Sequence, residues 1–398
     1  MKILFVHEVS YRNKVIFEMH EFPEMLALRG HEVTYFNFDE GAKFWSGGLT
    51  PRNEIIRGRV FTQAKLRLIR PLQVGIPGVD RVLATVTSRF ALRNLLKVGA
   101  FDAVVLLAVP TFGLQTLSAA RKARTPVVFR ALDVSHKIRE NILGSAIKAI
   151  EKRIYRSVDL VLGNNPVMTS YCIELGRRTK PARTLLAPVD LLHFAPRVAT
   201  AELRRSLGIQ GSDSVITYVG TFFYFSGLDE IIKEFAAAVQ AGKANNVKLL
   251  LIGSGEQDAE LRKLVAELGL TSRVIFTGFI PYAMLPEYLS LSTLAVNPLK
   301  KSLVTDKALP HKVLQYLALG LPVVSTPLAG LKAVFGDSAG IRWADNPREV
   351  LESALAFSGE TAGLIQAGAR ARAIVAERLS VDGTVDQLEQ VLKELSAK

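Results

Sequence analysis

Pro310 and Lys312 open an apolar run that ends at Gly320-Leu321-Pro322, and Val323-Val324-Ser325-Thr326 follows. A proline at a helix start loses nothing by its missing N–H, a glycine ends the helix, and a second proline blocks its continuation. The pattern predicts a helix over 310–319 and then a short buried strand. The first N–H groups of such a helix lack intrahelical partners and carry partial positive charge, which suits a phosphate or diphosphate. Lys312 falls in that first turn, and Lys300, Lys301 and Lys307 precede it. Lysine is a point charge rather than a planar fork, which suits a diphosphate. Gln315, near the lysine, offers both an acceptor and a donor. A second constellation is Arg130-Ala131-Leu132-Asp133-Val134-Ser135-His136, which puts a carboxylate and an imidazole in one loop. Such groups can move protons, although Asp133 fits a helix N-cap equally well. His7 and Glu8 follow the first apolar run and are candidates for contact with a substrate.

These residues need a frame. Strands are predicted at 2–7, 31–36, 104–108, 127–130 and 160–163, with helices at 17–29, 111–121 and 138–157. A long irregular basic region separates residue 36 from the third strand. Strands alternating with helices imply a parallel, doubly wound α/β sheet. Prolines at 188 and 196 mark a connection, and a second doubly wound domain is expected after it. The division reads as 1–190, 191–378 and a last amphipathic segment, 379–398, packing back on the first domain. In such sheets ligands bind beyond the carboxyl ends of the strands, near the switch point. The loops after residues 6, 129, 219 and 252 and the loop before the 310–319 helix are expected to converge on one cleft between the domains.

A chain of 398 residues exceeds a single core and expects two. A lone cysteine, Cys172, excludes internal disulfides and thiolate zinc clusters, and suits a reducing cytosol. The N-terminal apolar run is too short for a signal peptide. Uncharged runs at 103–120 and 313–331 carry internal Pro and Gly and read as strand and helix pairs rather than membrane spans. The net charge is +13. Between Lys43 and Lys97 stand Arg52, Arg57, Arg59, Lys65, Arg67, Arg70, Arg81, Arg89 and Arg93 against only Glu54 and Asp80. Aromatic residues are not interleaved with these cations and no nucleic-acid module is legible, so no nucleic-acid partner is expected. A solvated basic face, a phosphate-bearing substrate or an anionic membrane surface remains, with Phe44 and Trp45 as interface residues in the last case.

Three motifs in order carry a resemblance. The 310–324 run is similar to "P-x-K-x-x-E-Y-x-A-x-G-x-P-V-V", the donor-site helix of the family-4 glycosyltransferases of the GT-B fold. Tyr218-Val219-Gly220-Thr221 with Gly227-Leu228-Asp229 resembles the first strand and loop of their C-terminal domain. Leu250-Leu251-Ile252-Gly253-Ser254-Gly255-Glu256, followed by Val274-Ile275-Phe276-Thr277-Gly278, is the third. The likeness covers roughly residues 195–375 and is looser before them.

The resemblance implies two Rossmann-like domains and transfer of a hexose from a nucleotide-sugar donor to a lipid-linked or polysaccharide acceptor. Retention is expected, without metal or cofactor, since no D-x-D pair occurs. The place would be the inner face of the cell membrane, with the protein cytoplasmic and peripheral. Donor contacts carry over to Gly220, Thr221, Gly253, Gly278, Phe279, Ile280, Lys307, Lys312, Val313 and Gln315. The 274–280 turn would hold the base, or be an ordinary strand and turn. Asp133 matches the acid of a family "H-D" segment, with Leu132 in place of the histidine and His136 nearby, and Glu8 and His7 would contact the acceptor. Departures are visible. Lys307 and Gln315 stand where many members have Glu, and Thr221 and Ser226 stand where many have Arg and Lys. Two other readings follow from this: a catalytically silent GT-B assembly subunit, and a nucleotide-sugar epimerase of the same architecture.

Overall fold

The structure is a computed structural model describing residues 1–38, 52–72, 76, 79–138, 144–337 and 340–397. The chain forms two compact units, Met1–Pro188 with Val381–Lys398, and Val189–Ser380.

The first unit runs β1 (Lys2–Val6), α1 (Glu18–Leu28), β2 (Glu32–Phe36), β3 (Arg52–Arg57), β4 (Lys65–Arg70), α2 (Val79–Gly99), β5 (Ala103–Leu106), α3 (Gly113–Ala123), β6 (Val127–Ala131), α4 (Ser135–Ile138), α5 (Gly144–Ser157), β7 (Leu160–Gly163), α6 (Pro166–Gly176) and β8 (Ala182–Thr184). Its sheet is ordered β3-β4-β2-β1-β5-β6-β7-β8 and is parallel except for the β3–β4 pair. The second unit runs α7 (Ala201–Ser206), β9 (Ser214–Val219), α8 (Leu228–Gln240), β10 (Val247–Ile252), α9 (Asp258–Glu267), β11 (Val274–Gly278), α10 (Leu285–Leu289), β12 (Leu294–Asn297), α11 (His311–Ala318), β13 (Val323–Ser325), α12 (Ala329–Phe335), β14 (Ile341–Trp343), α13 (Pro347–Ser358) and α14 (Thr361–Arg378). Its all-parallel sheet is ordered β11-β10-β9-β12-β13-β14, so the chain reverses direction between β9 and β12. Both sheets are covered by helices, which explains why their inner strands read as unbroken apolar runs.

The closing helix, α15 (Val381–Ser396), joins the core of the first unit through Val385, Leu388 and Leu392. Arg29, the residue that ends α1, fixes its register by reaching Asp382, Asp386 and Glu389 at 3.4, 2.6 and 3.3 Å.

The expected irregular basic region is in part regular. It contains the antiparallel β3–β4 hairpin and α2. In β4, exposed Lys65 and Arg67 alternate with buried Leu66 and Leu68, a period of two that turns one face to the core and the other to water. The sequence reading also passed over α6, whose start is marked by Asn165 accepting from the Met168 N–H at 2.9 Å and by Pro166 in the first turn.

One ion pair ties the first unit together. Glu18 on α1 and Arg130 on β6 are 2% and 3% exposed and share two hydrogen bonds, at 2.5 and 2.8 Å. Arg130 also donates to the Gly163 carbonyl at 3.3 Å, and its guanidinium lies 5.4 Å from the Phe22 ring. Glu18→Ala should strand a buried guanidinium and cost about 3–5 kcal/mol. A lowered urea midpoint for the mutant, largely recovered by adding Arg130→Met, is the expected result. A midpoint equal to that of the parent would show that the pair is not holding α1 to the sheet.

Candidate functional site

In the second unit, three strands end on glycines: Gly220 after β9, Gly253 after β10 and Gly278 closing β11, at φ +143°, +127° and +70°. The Gly220 N–H donates to the Ile252 carbonyl at 3.0 Å and the Gly253 N–H to the Gly278 carbonyl at 2.9 Å. A Cβ on Gly253 would stand 2.1 Å from the Gly220 carbonyl oxygen, so no larger residue fits that approach. The result is a ledge of bare backbone at the carboxyl edge of the sheet, reaching the switch point between β9 and β12.

The helix α11 begins on the other side of that switch point. Pro310 is its N-cap, at φ −63° and ψ 115°, and no side chain caps it. Tyr316 is fully buried, and its hydroxyl accepts the Val219 N–H at 2.7 Å, which locks the helix to the end of β9. Lys312 projects from the first turn with its Nζ 3.9 Å from the centre of the Tyr218 ring. Loss of water around it pushes its pKa down to about 7, and among the described residues no carboxylate pairs with it.

Val313 is fully buried and its N–H returns to the Pro310 carbonyl at 2.9 Å, so it packs the helix. Gln315 is 6% exposed, with Nε2 3.3 Å from His311 Nδ1. Lys307 closes a short 3₁₀ turn, Thr305–Lys307, which Asp306 anchors by accepting the Ala329 N–H at 2.9 Å. Thr221 is exposed, Phe279 is 67% exposed and Ile280 is half-buried. Lys300 is taken up by ion pairs, lying 3.0 and 2.9 Å from Asp229 and Glu230. Sequence reasoning took Tyr218 and Tyr316 as strand and helix residues only. Their pairing with Lys312 and Val219 joins parts distant in sequence and left no local signal.

In the first unit, Asp133 follows β6 and is exposed, yet protein crowds it. That crowding, with Glu18 as second cause, raises its pKa to about 6 against the pull of Lys14. Its exposure lets water screen part of the effect. His136 belongs to another network: its Nδ1 is 2.5 Å from Glu151, which also accepts the Ser135 N–H and the Tyr155 hydroxyl, each at 3.0 Å. His7 is buried and held neutral, its pKa lowered to about 3 by burial, then by Lys14 and His20, while its Nδ1 accepts the Glu8 N–H at 2.8 Å. Glu8 accepts the Thr111 N–H at 2.8 Å, bridging the switch point between β1 and β5.

Two family models match this chain. "Glycosyl transferases group 1" covers residues 199–355 and "Glycosyl transferase 4-like domain" covers 19–189, together most of its length. The chain belongs to the family-4 glycosyltransferases of the GT-B fold. Family-4 relatives include the 2-deoxystreptamine glucosyltransferase of Streptomyces kanamyceticus, 27% identical over 55% of this chain and 52% of that protein. The O-antigen chain mannosyltransferase C of Escherichia coli is 26% identical over 43% and 42%. The matched stretches thus span about half the length of these relatives or less. The structure of Anabaena HepE in complex with UDP-glucose is similar in fold, with a TM-score of 0.74 at 16% identity over 99% of this chain and 100% of that one. Ser226, which stands where many members carry Lys, is fully buried.

A neutralised Lys312 has a pH signature. A bound diphosphate restores its charge, so above pH 7 binding must take up a proton and affinity must fall as pH rises. Calorimetry of UDP or GDP binding at pH 8, in buffers of different ionisation enthalpy, should show that uptake. Lys312→Ala should abolish the uptake and weaken binding about ten- to a hundredfold, as expected for a lost charge-assisted contact. Unchanged affinity in the mutant would remove Lys312 from the site.

Proposed function

We propose that this protein transfers a hexose from a nucleoside-diphosphate sugar to a lipid-linked or polysaccharide acceptor, with retention and without a metal ion, in the assembly of cell-surface glycans at the inner face of a membrane. The observation that carries the reading is the meeting of bare strand ends, a helix N-terminus and an unpaired lysine at the switch point of the second sheet. In the reaction the bond from the sugar's anomeric carbon to the diphosphate breaks, and a bond to the acceptor oxygen forms on the same face. The acceptor's proton passes to the departing phosphate oxygen, so no strong protein base is required. Charge growing on the diphosphate falls on Lys312 and the first turn of α11, groups already in place before the reaction.

Gln315 is assigned to the ribose, and the turn Gly278-Phe279-Ile280 to the base. Phe279 supports the latter, being a large aromatic left exposed. Asp133 is assigned to the sugar or acceptor hydroxyls, and its raised pKa leaves it able to donate as well as accept near neutral pH. Among the described residues no helix is long and apolar enough to cross a membrane, and the acceptor's membrane would be met at a surface. The name of the Escherichia coli relative favours glycan assembly, and the HepE complex favours a UDP-sugar.

A thermal-shift and turnover screen over UDP-, GDP- and dTDP-sugars tests the donor. Asp133→Asn should lower turnover about ten- to a hundredfold, the range of a lost charge-assisted hydrogen bond to a reacting hydroxyl, with donor affinity unchanged. Equal losses of affinity and rate would place Asp133 in donor binding instead. Donor binding without turnover on any acceptor would favour the silent subunit, to which Lys307, Gln315, Thr221 and Ser226 already point.

A further inference from the structure

The helix α2 buries Asp80, Ala84, Ser88, Leu92 and Leu96. Its other face leaves Val79, Val82, Val86 and Phe90 at 52%, 67%, 56% and 68% exposed. These four recur every three or four residues and so form one stripe, which exposed Arg93 and Lys97 continue. A contiguous apolar stripe at the surface marks an interaction site rather than scattered exposure. Arg89, beside the stripe, also lines a concavity of about 1510 Å³ with Arg121, Lys122, Arg124 and Arg153. This concavity lies where β6 and β7 begin, at the edge of the first sheet away from Asp133. Cations near the ends of α3 and α5 suit the local carbonyl dipoles, but these five exceed that need. Among the described residues none of them is in an ion pair, whereas Lys180 on the same wall pairs with Asp159 at 3.2 Å.

We infer that the α2 stripe and the adjoining cations dock the protein on an anionic lipid bilayer, with the valines and Phe90 in the interface and the cations among headgroup phosphates. The combination selects this occupant. A nucleic acid would leave four apolar side chains in water, and a second copy of the chain would bring like charges together. A helix with an apolar stripe and flanking Arg and Lys lies in the plane of an anionic interface. The inference rests on the membrane-side acceptor proposed above. It moves the docking surface from Phe44 and Trp45, which lie outside the described residues, to α2.

The test is cosedimentation of the full chain with phosphatidylcholine vesicles and with vesicles one-third phosphatidylglycerol, at low and high salt. Binding to the anionic vesicles alone, weakened by salt, is expected. Arg121→Glu/Lys122→Glu/Arg124→Glu should cut partition about a hundredfold or more, and Val82→Ser/Val86→Ser/Phe90→Ser about tenfold or more. Both variants should keep the parent's melting temperature and UDP affinity, which separates lost docking from misfolding. Equal binding to neutral vesicles, no binding to either, or parental partition by both variants would overturn the inference. So would a dimer that the serine variant dissociates. Vesicle binding as expected by a protein that binds no donor would leave the docking surface standing and sink the transfer reading instead.

Discussion

Two positive ends are held side by side at the switch point of the second sheet: the N-terminus of α11 and the ammonium of Lys312. No carboxylate among the described residues pairs with Lys312, no side chain caps the helix, and the Tyr218 ring offers only its face. Such an arrangement is costly without an anion, and the surrounding packing exists to maintain it. Tyr316 pins the helix to β9 from beneath. The tight contact between Gly220 and Gly253 keeps the strand ends flat enough for a ligand to approach the backbone. The cost is visible in Lys312 itself, whose proton is loosened to about pH 7. An arriving diphosphate would relieve all of it at once.

The first sheet makes the opposite choice at its own switch point. There Glu8 spans from β1 to the chain after β5, accepting the Thr111 N–H, and His7 beside it is kept neutral by burial. Asp133, at the end of the neighbouring β6, is the group whose proton is poised near neutrality, and the buried Glu18–Arg130 pair sets its surroundings. One unit thus carries cations and bare backbone at its switch point, and the other carries Asp133, whose protonation the fold adjusts. The proposed transfer draws on both.

Much of this was legible in the sequence because the signals were local. Apolar runs such as 2–7 and 127–130, and the proline and glycine that bracket α11, read directly as buried strands and a helix. The three ordered motifs placed Gly220, Gly253 and Lys312 correctly on strand ends and a helix start. The parts that escaped have physical reasons. The strand β4 hid behind its arginines, and α2 hid because its outward face carries Val82, Val86 and Phe90, which erases the polar stripe that a helical period requires. His136 looked like a partner for Asp133, yet a carboxylate on α5 takes its Nδ1. Contacts made across the fold, such as Lys312 with Tyr218, leave no trace in spacing.

The most direct measurement is a crystal structure of the protein with UDP or GDP. The account predicts the diphosphate on the first turn of α11, within hydrogen-bond distance of Lys312 Nζ, with the base against the Gly278 turn. A nucleotide that binds with its diphosphate elsewhere, or with Lys312 still resting on Tyr218 and out of its reach, would contradict the account.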